Sequence, residues 1–171
     1  MAKLFSSQPN NINFLSPVGF RFNIEALPLT NWFLTAVNLP GISLGEVNQP
    51  TPLMQTQVPG NDLVWDALNI TFLVDEDLNN WREIYDWIIG LGFPNNYDEY
   101  KTQKTLKQIY SDATLNILNS NMNINYIIQF KDLFPTNLSE VLFDSASSDI
   151  EGIKATATFR YLTYTYEKVG T

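Results

Sequence analysis

Apolar and polar residues alternate at several places along the chain, and each alternation predicts a half-buried strand. In Gly19-Phe20-Arg21-Phe22-Asn23-Ile24-Glu25 the even positions are apolar and the odd ones polar, the period of two that a pleated strand imposes. Asn31 to Leu39 predicts a second strand, ended by Pro40-Gly41. Residues 40–52 hold three prolines and two glycines and read as a long loop. Leu53 to Val58 predicts a short strand closed by the turn signal Pro59-Gly60. From Leu63 to Val74 the alternation returns, with Leu68, Ile70, Phe72 and Val74 on one face. The period then changes. Leu78, Trp81, Tyr85 and Ile88 recur at spacings of three and four, one stripe of a helix over Asp77 to Leu91. Asp75-Glu76-Asp77 stands where a helix N-terminus favours acids, and Gly90, Gly92 and Pro94 end the pattern.

Beyond a turn-rich segment at 93–110, Asp112 to Leu118 and Asn123 to Lys131 predict a hairpin turned at Asn119-Ser120-Asn121-Met122, since Asn tolerates left-handed backbone. Leu133-Phe134-Pro135-Thr136-Asn137 is expected to break the sheet, Glu140 to Phe143 to resume it, and Ser145 to Asp149 to turn. Lys154 to Glu167 predicts the longest strand. The fold class is therefore mainly β: an antiparallel β-sandwich or open barrel with one flanking α-helix and no repeated βαβ rhythm. Residues 1–17, polar and carrying Pro9, Pro17 and Asn10-Asn11, read as an N-terminal arm, and 18–171 as a single β domain.

Composition removes whole classes of chemistry. The 171 residues include no Cys and no His, which excludes disulfides, Cys-zinc sites, thiol nucleophiles and His-based triads. Ten basic against eighteen acidic residues leave a net charge of −8, unsuited to holding a phosphate backbone. Residues 62–99 alone hold nine acids against the single base Arg82. The N-terminus turns polar at Ser6-Ser7-Gln8, without the apolar core of a signal peptide. Trp87 to Phe93, the most apolar stretch, is too short to span a bilayer.

Candidate chemistry is sparse. Asp75-Glu76-Asp77 and the group Asp144, Asp149 and Glu151 could face a cation, but the first suits a helix start and the second lacks the spacing of a calcium loop. Gly90-Leu91-Gly92 follows a helix and lacks a third glycine, so it is a helix stop rather than a dinucleotide fingerprint. Nothing marks two of the eighteen acids as a glycosidase pair. Lys101, Lys104 and Lys107 form a basic stretch beside Asp98 and Glu99. No catalytic, cofactor-binding or metal-ligating residue is assigned, and no cofactor is expected. Trp87 lies about 140° around the helix from the stripe of Trp81, Tyr85 and Ile88. Either the following loop folds over it, or it is a candidate for a subunit interface, where Trp is enriched. Pro40, Gly41, Pro59 and Gly60 complete the interface candidates; they bound residues 40–60, one of two segments, with the N-terminal arm, that could reach a neighbouring subunit.

The order of these segments resembles the tail tube proteins of contractile-tailed bacteriophages. The likeness is carried by Val58-Pro59-Gly60, by Leu68-Asn69-Ile70-Thr71-Phe72 leading into Asp75-Glu76, and by the helix with Tyr85-Asp86-Trp87. Leu133 to Leu138, Leu142-Phe143-Asp144 and Thr158-Phe159-Arg160-Tyr161 continue it. The resemblance implies a non-enzymatic virion subunit that assembles with itself. Six copies would close a ring, and rings would stack into a conduit through which DNA passes without specific binding. It implies assembly in the host cytoplasm, and contacts with tail sheath, baseplate and tube-terminator proteins, with no membrane insertion. A baseplate tube initiator, a tube-end protein and a tube subunit of a related contractile injection system are alternatives within the class. Outside it stand a carbohydrate-binding β-sandwich using Trp32 and Trp65, and a carboxylate-only hydrolase.

Overall fold

The computed structural model describes residues 13–50, 52, 54–92, 109–144 and 152–169. Among them the elements run β1 (Phe20–Ile24), α1 (Pro28–Trp32), β2 (Leu34–Val37), β3 (Ile42–Pro50), β4 (Gln55–Trp65), β5 (Leu68–Leu73), α2 (Asn79–Gly92), β6 (Ser111–Leu118), β7 (Ile124–Leu138), β8 (Lys154–Arg160) and β9 (Thr163–Lys168). All strand pairs are antiparallel. This is the mainly β fold with a flanking helix that the alternation implies.

The main sheet follows the path β1-β6-β7-β8-β5-β2, with β9 also paired to β7. It folds into two layers because β7 belongs to both. Its first half pairs with β6 and β9, and its second half, from Phe134, pairs with β8. The corner is built by a register shift between Ser111 and Ala113 and by Asp132, whose φ of 55° lies in the left-handed region. Asp132 N–H donates to Asp112 Oδ1 at 3.2 Å across this corner. Bulges of this kind bend a strand and let it change layer. The chain makes a matching corner at Tyr161-Leu162, between β8 in one layer and β9 in the other. The core fills the space between: Ile24, Leu68, Ile70, Phe72, Phe130, Leu133 and Phe159 are all at most 1% exposed.

Several sequence boundaries move. Residues 42–50 are strand, not loop, and β4 runs straight through Pro59-Gly60, which makes no turn. The ladder absorbs the pair as a bulge, with Leu44 opposite Leu63 but Glu46 opposite Pro59. The segment 133–137 does not break the sheet, because Pro135 sits where the ladder shifts register between Pro135 and Asn137, a position that tolerates a missing N–H. Residues 140–143 are not a strand. The expected strand over 31–39 opens on the last two residues of α1 and is strand only at Leu34–Val37, and the long strands expected over 63–74 and 154–167 are each two.

The helix stripe is also corrected. On α2 the buried residues are Asn80, Ile84, Trp87 and Gly90, again spaced by three and four. Tyr85 is exposed and Leu78 precedes the helix with φ 58°. Asn80 is central because its amide satisfies the end of β5, donating to Leu73 O at 2.7 Å and accepting from Asp75 N–H at 3.1 Å. A buried amide with its bonds made is as good a core residue as an apolar one.

Candidate assembly interface

Strands β3 and β4 form a two-stranded sheet of their own. This ribbon leaves the body between β2 and β5, and aromatic residues hold its foot. Trp65 packs edge-on against Tyr164 at 4.9 Å and against Tyr161 at 6.4 Å. The Tyr161 hydroxyl donates to Asp66 O at 2.9 Å, the Tyr164 hydroxyl to Pro40 O at 3.4 Å, and Arg160 Nη1 to Trp65 O at 3.1 Å. Both ends of the ribbon are thus tied to the β8–β9 corner. Burial pushes the Tyr161 phenol up to about 12, with the negative charges of Tyr164 and Asp66 adding to it. The hydroxyl therefore stays a donor throughout the ordinary pH range.

Past its foot, the ribbon exposes apolar side chains on both faces. Residues opposite one another in an antiparallel ladder share a face. Ile42, Leu44 and Leu63 lie on one side with Trp65, while Val47 and Val58 pair on the other with Val64. Ile42, Leu44, Val47, Leu63 and Val64 are each about half exposed. An isolated two-stranded ribbon is marginal in water at best, and uncovered apolar surface on both its faces marks an interaction element.

A seam runs along the body between β1 and β2, the two ends of the sheet path. There a groove of about 230 Å³ is lined by Leu15, Phe20, Val37, Leu39, Leu115 and Ile117 among others. At one end the β1 edge is blocked by Asn31, whose side chain accepts from Ile24 N–H and donates to Ile24 O, both at 3.0 Å.

The interface candidates from the sequence separate here. Gly41, Pro59 and Gly60 lie on the ribbon or at its foot, and Pro40 is buried at the foot. A side chain on Gly60 would meet Gly45 O at 2.7 Å, a backbone atom that cannot step aside. Trp87 is a correction. It is 7% exposed, its ring lies 6.2 Å from Phe159, and Nε1 donates to Ile109 O at 3.3 Å. Its position off the expected stripe is the core position of the true one, so it offers no surface to a neighbour. The exposed Trp is Trp32, at 89% on α1, whereas Trp65 belongs to the foot of the ribbon. Composition misses the ribbon because its apolar alternation is broken by prolines and glycines that the ladder absorbs.

No cluster of three or more metal-ligating side chains occurs among the described residues. Asp75, Glu76 and Asp77 make a turn ahead of α2, and Asp144 is exposed. Asp149, Glu151, Asp98, Glu99, Lys101, Lys104 and Lys107 lie outside the described residues. Among the described residues no helix is long and apolar enough to cross a membrane.

No family model matches the chain. Over 170 residues it is 32% identical to the tail tube terminator protein of Enterobacteria phage T4, spanning 96% of this chain and 92% of that one. Its fold aligns with the tube terminating cap of the anti-feeding prophage at TM-score 0.64 and 14% identity, over 97% and 99% of the two chains. A chain from the sheath/tube terminator structure of the extracellular contractile injection system PVC aligns at TM-score 0.63 and 17% identity, over 92% and 99%. One from the sheath–tube complex of that system gives TM-score 0.63 and 16% identity, over 92% and 95%.

Proposed function

This chain belongs to the family of the phage tail tube terminator protein, and we propose that it closes the end of a contractile tail's tube as a ring of its own copies. One observation carries the reading: 32% identity sustained over 96% of the chain to a protein named for that role. The fold alone does not choose between tube wall and tube end, since sheath–tube and terminator chains align at the same TM-score of 0.63. The reading therefore passes from the main tube subunit, foremost on sequence, to the tube-end role held beside it.

The work of such a protein is mechanical, and the chain's chemistry suits it. Its contacts are head-to-tail, a projecting ribbon on one part of the surface and an apolar seam on another. Contacts of this type close a ring when the rotation per copy divides a full turn. The resemblance puts six copies in the ring. Its partners are then further copies of itself, the last ring of the tube and the surrounding sheath, at the tail of the virion. With a net charge of −8 the ring does not hold DNA passing through it. No residue acts as a catalyst.

Mass photometry and negative-stain microscopy of the purified chain over rising concentration test this. The expected result is a discrete closed ring that does not lengthen. Open-ended tubes that grow with concentration restore the main-subunit reading, and a monomer at every concentration overturns both.

A further inference from the structure

We infer that the seam between β1 and β2 receives the outer half of the ribbon of a second copy, with the Val47–Val58 pair as its anchor. The inference deepens the ring reading above and rests on it.

Among the described residues neither surface is covered, and the ribbon is held to the body at its aromatic foot by Trp65, Tyr161 and Tyr164. Val47 remains 57% exposed. The seam is the place where the sheet path fails to close, because β1 and β2 end the path and the groove lies between them. A volume of about 230 Å³ is below the range of small-molecule pockets, roughly 300–1,000 Å³, and suits one or two aliphatic side chains.

Charge decides which half of the ribbon fits. No residue lining the seam is charged. The inner half of the ribbon carries Glu46 and Asp62, whereas Val47 to Pro50 and Gln55 to Val58 carry no charge. Burying an unpaired carboxylate in an apolar groove is costly, so the outer half is the complementary partner. Val47 and Val58 stand opposite each other and share one face. Gln49 and Thr56, also opposite each other, continue that face outward. Their polar groups can meet the seam's rim at Thr35 and Ser16. The occupant is a second copy and not the same chain. The seam runs up to Leu39, next to the foot that fixes where the ribbon leaves the body. A latched foot keeps the ribbon from turning back through that short connection.

The absence of cysteine gives a clean test. Chains bearing only Ala36→Cys, on the seam, are mixed with chains bearing only Val47→Cys, reassembled and oxidised. A parallel mixture uses Gln49→Cys, and each is repeated with a short bis-maleimide. A covalent heterodimer between the two variants is expected in the ring fraction. Ala36→Trp, which fills the seam from an exposed position, should raise the concentration needed for ring formation by about tenfold or more and leave the monomer's melting unchanged. Rings that form without any such crosslink, and that tolerate Ala36→Trp, overturn this inference and leave the ring reading standing. A crosslink formed within one chain carrying both cysteines, at dilutions where only monomer exists, overturns the choice of a second copy. Absence of rings in the unmodified protein defeats the ring reading itself, and this inference with it.

Discussion

Glu83 is the residue whose chemistry is least settled by its surroundings. One side of its carboxylate accepts the backbone N–H groups of Leu29 and Thr30 at the start of α1. The other oxygen, Oε2, is buried without a hydrogen-bond partner. Burial raises its pKa, and the α1 hydrogen bonds offset only part of that. A carboxyl raised in the fold stabilises below its unfolded pKa, and that contribution is lost as pH climbs through the folded one. Glu83→Gln keeps an acceptor for α1 and removes the buried charge. Thermal melts should show the variant more stable than the parent at neutral pH, with the gain vanishing in acid. Trp87 gives a second expectation. It is buried against Phe159 and bonded through its indole, so Trp87→Ala should cost about 3–5 kcal/mol in denaturant titrations. Trp81 is only half-buried, stacked on exposed Tyr85 at 5.3 Å, and Trp81→Ala should cost clearly less. A periodicity argument inverts this order because it ranks positions by apolarity. Here the buried line begins with Asn80 and ends with Gly90. A buried amide held by its bonds and a buried glycine leave no apolar signal.

Among the elements, those with unbroken alternation were legible: β1, β5, the β6–β7 hairpin and β8 all lie where period two places them. The ribbon was not, and Gly60 shows why. Pro59-Gly60 has the composition of a turn, yet the glycine is present because the facing strand's backbone leaves no room for a Cβ. Close approach and reversal select the same residue. The sequence of β7 hides its corner in the same way, since Asp132 adopts a left-handed φ without a glycine to announce it. Gly60→Val separates the ribbon's function from the body's stability. The added side chain must push β3 and β4 apart at a cost of about 1–3 kcal/mol, all of it within an element that packs on the body only at its foot. Calorimetry should find the main transition where it was. Ring formation followed by size-exclusion chromatography should fall sharply.

For the whole molecule, the described acids of residues 62–92 occupy turns, ribbon and helix, not the faces of the main sheet. Asp75, Glu76 and Asp77 form the turn before α2, Asp86 pairs with Arg82 at 3.4 Å on the helix surface, and Asp62 is on the ribbon. The outward side chains at the middle of β5 and β8 are Asn69, Thr71, Thr156 and Thr158, with Thr158 Oγ1 donating to Asn69 Oδ1 at 2.8 Å, and Lys154 and Arg160 stand on the same side at the two ends of β8. A net charge of −8 sets the long-range field, while the middle of this face is a neutral hydroxyl and amide layer. The ring experiment above is the measurement at this scale, because every claim about a conduit presupposes closure. Fold class and membership of a tube-related family were readable from order and spacing. The proposed end position was not, since chains from a sheath–tube complex and from a terminator structure align with this one at the same TM-score of 0.63.

The way β7 joins the two layers also dictates the order in which the chain can come together. Phe20 of β1 pairs with Ile117, and Leu68 of β5 with Phe159. Neither layer can therefore close until nearly the whole polypeptide has been synthesised, and contacts so distant in sequence make folding slow. The ribbon, like the β6–β7 hairpin, is local, since Ile42 meets Trp65 and Pro50 meets Gln55 within one short stretch. The ribbon's strands can thus pair transiently before the body that will carry them is complete, and its apolar faces are then exposed on every nascent copy. The run from Val47 to Val58, free of charge but holding Pro50 and Pro52, then guards against premature stacking, because proline interrupts the strand pairing that aggregation requires.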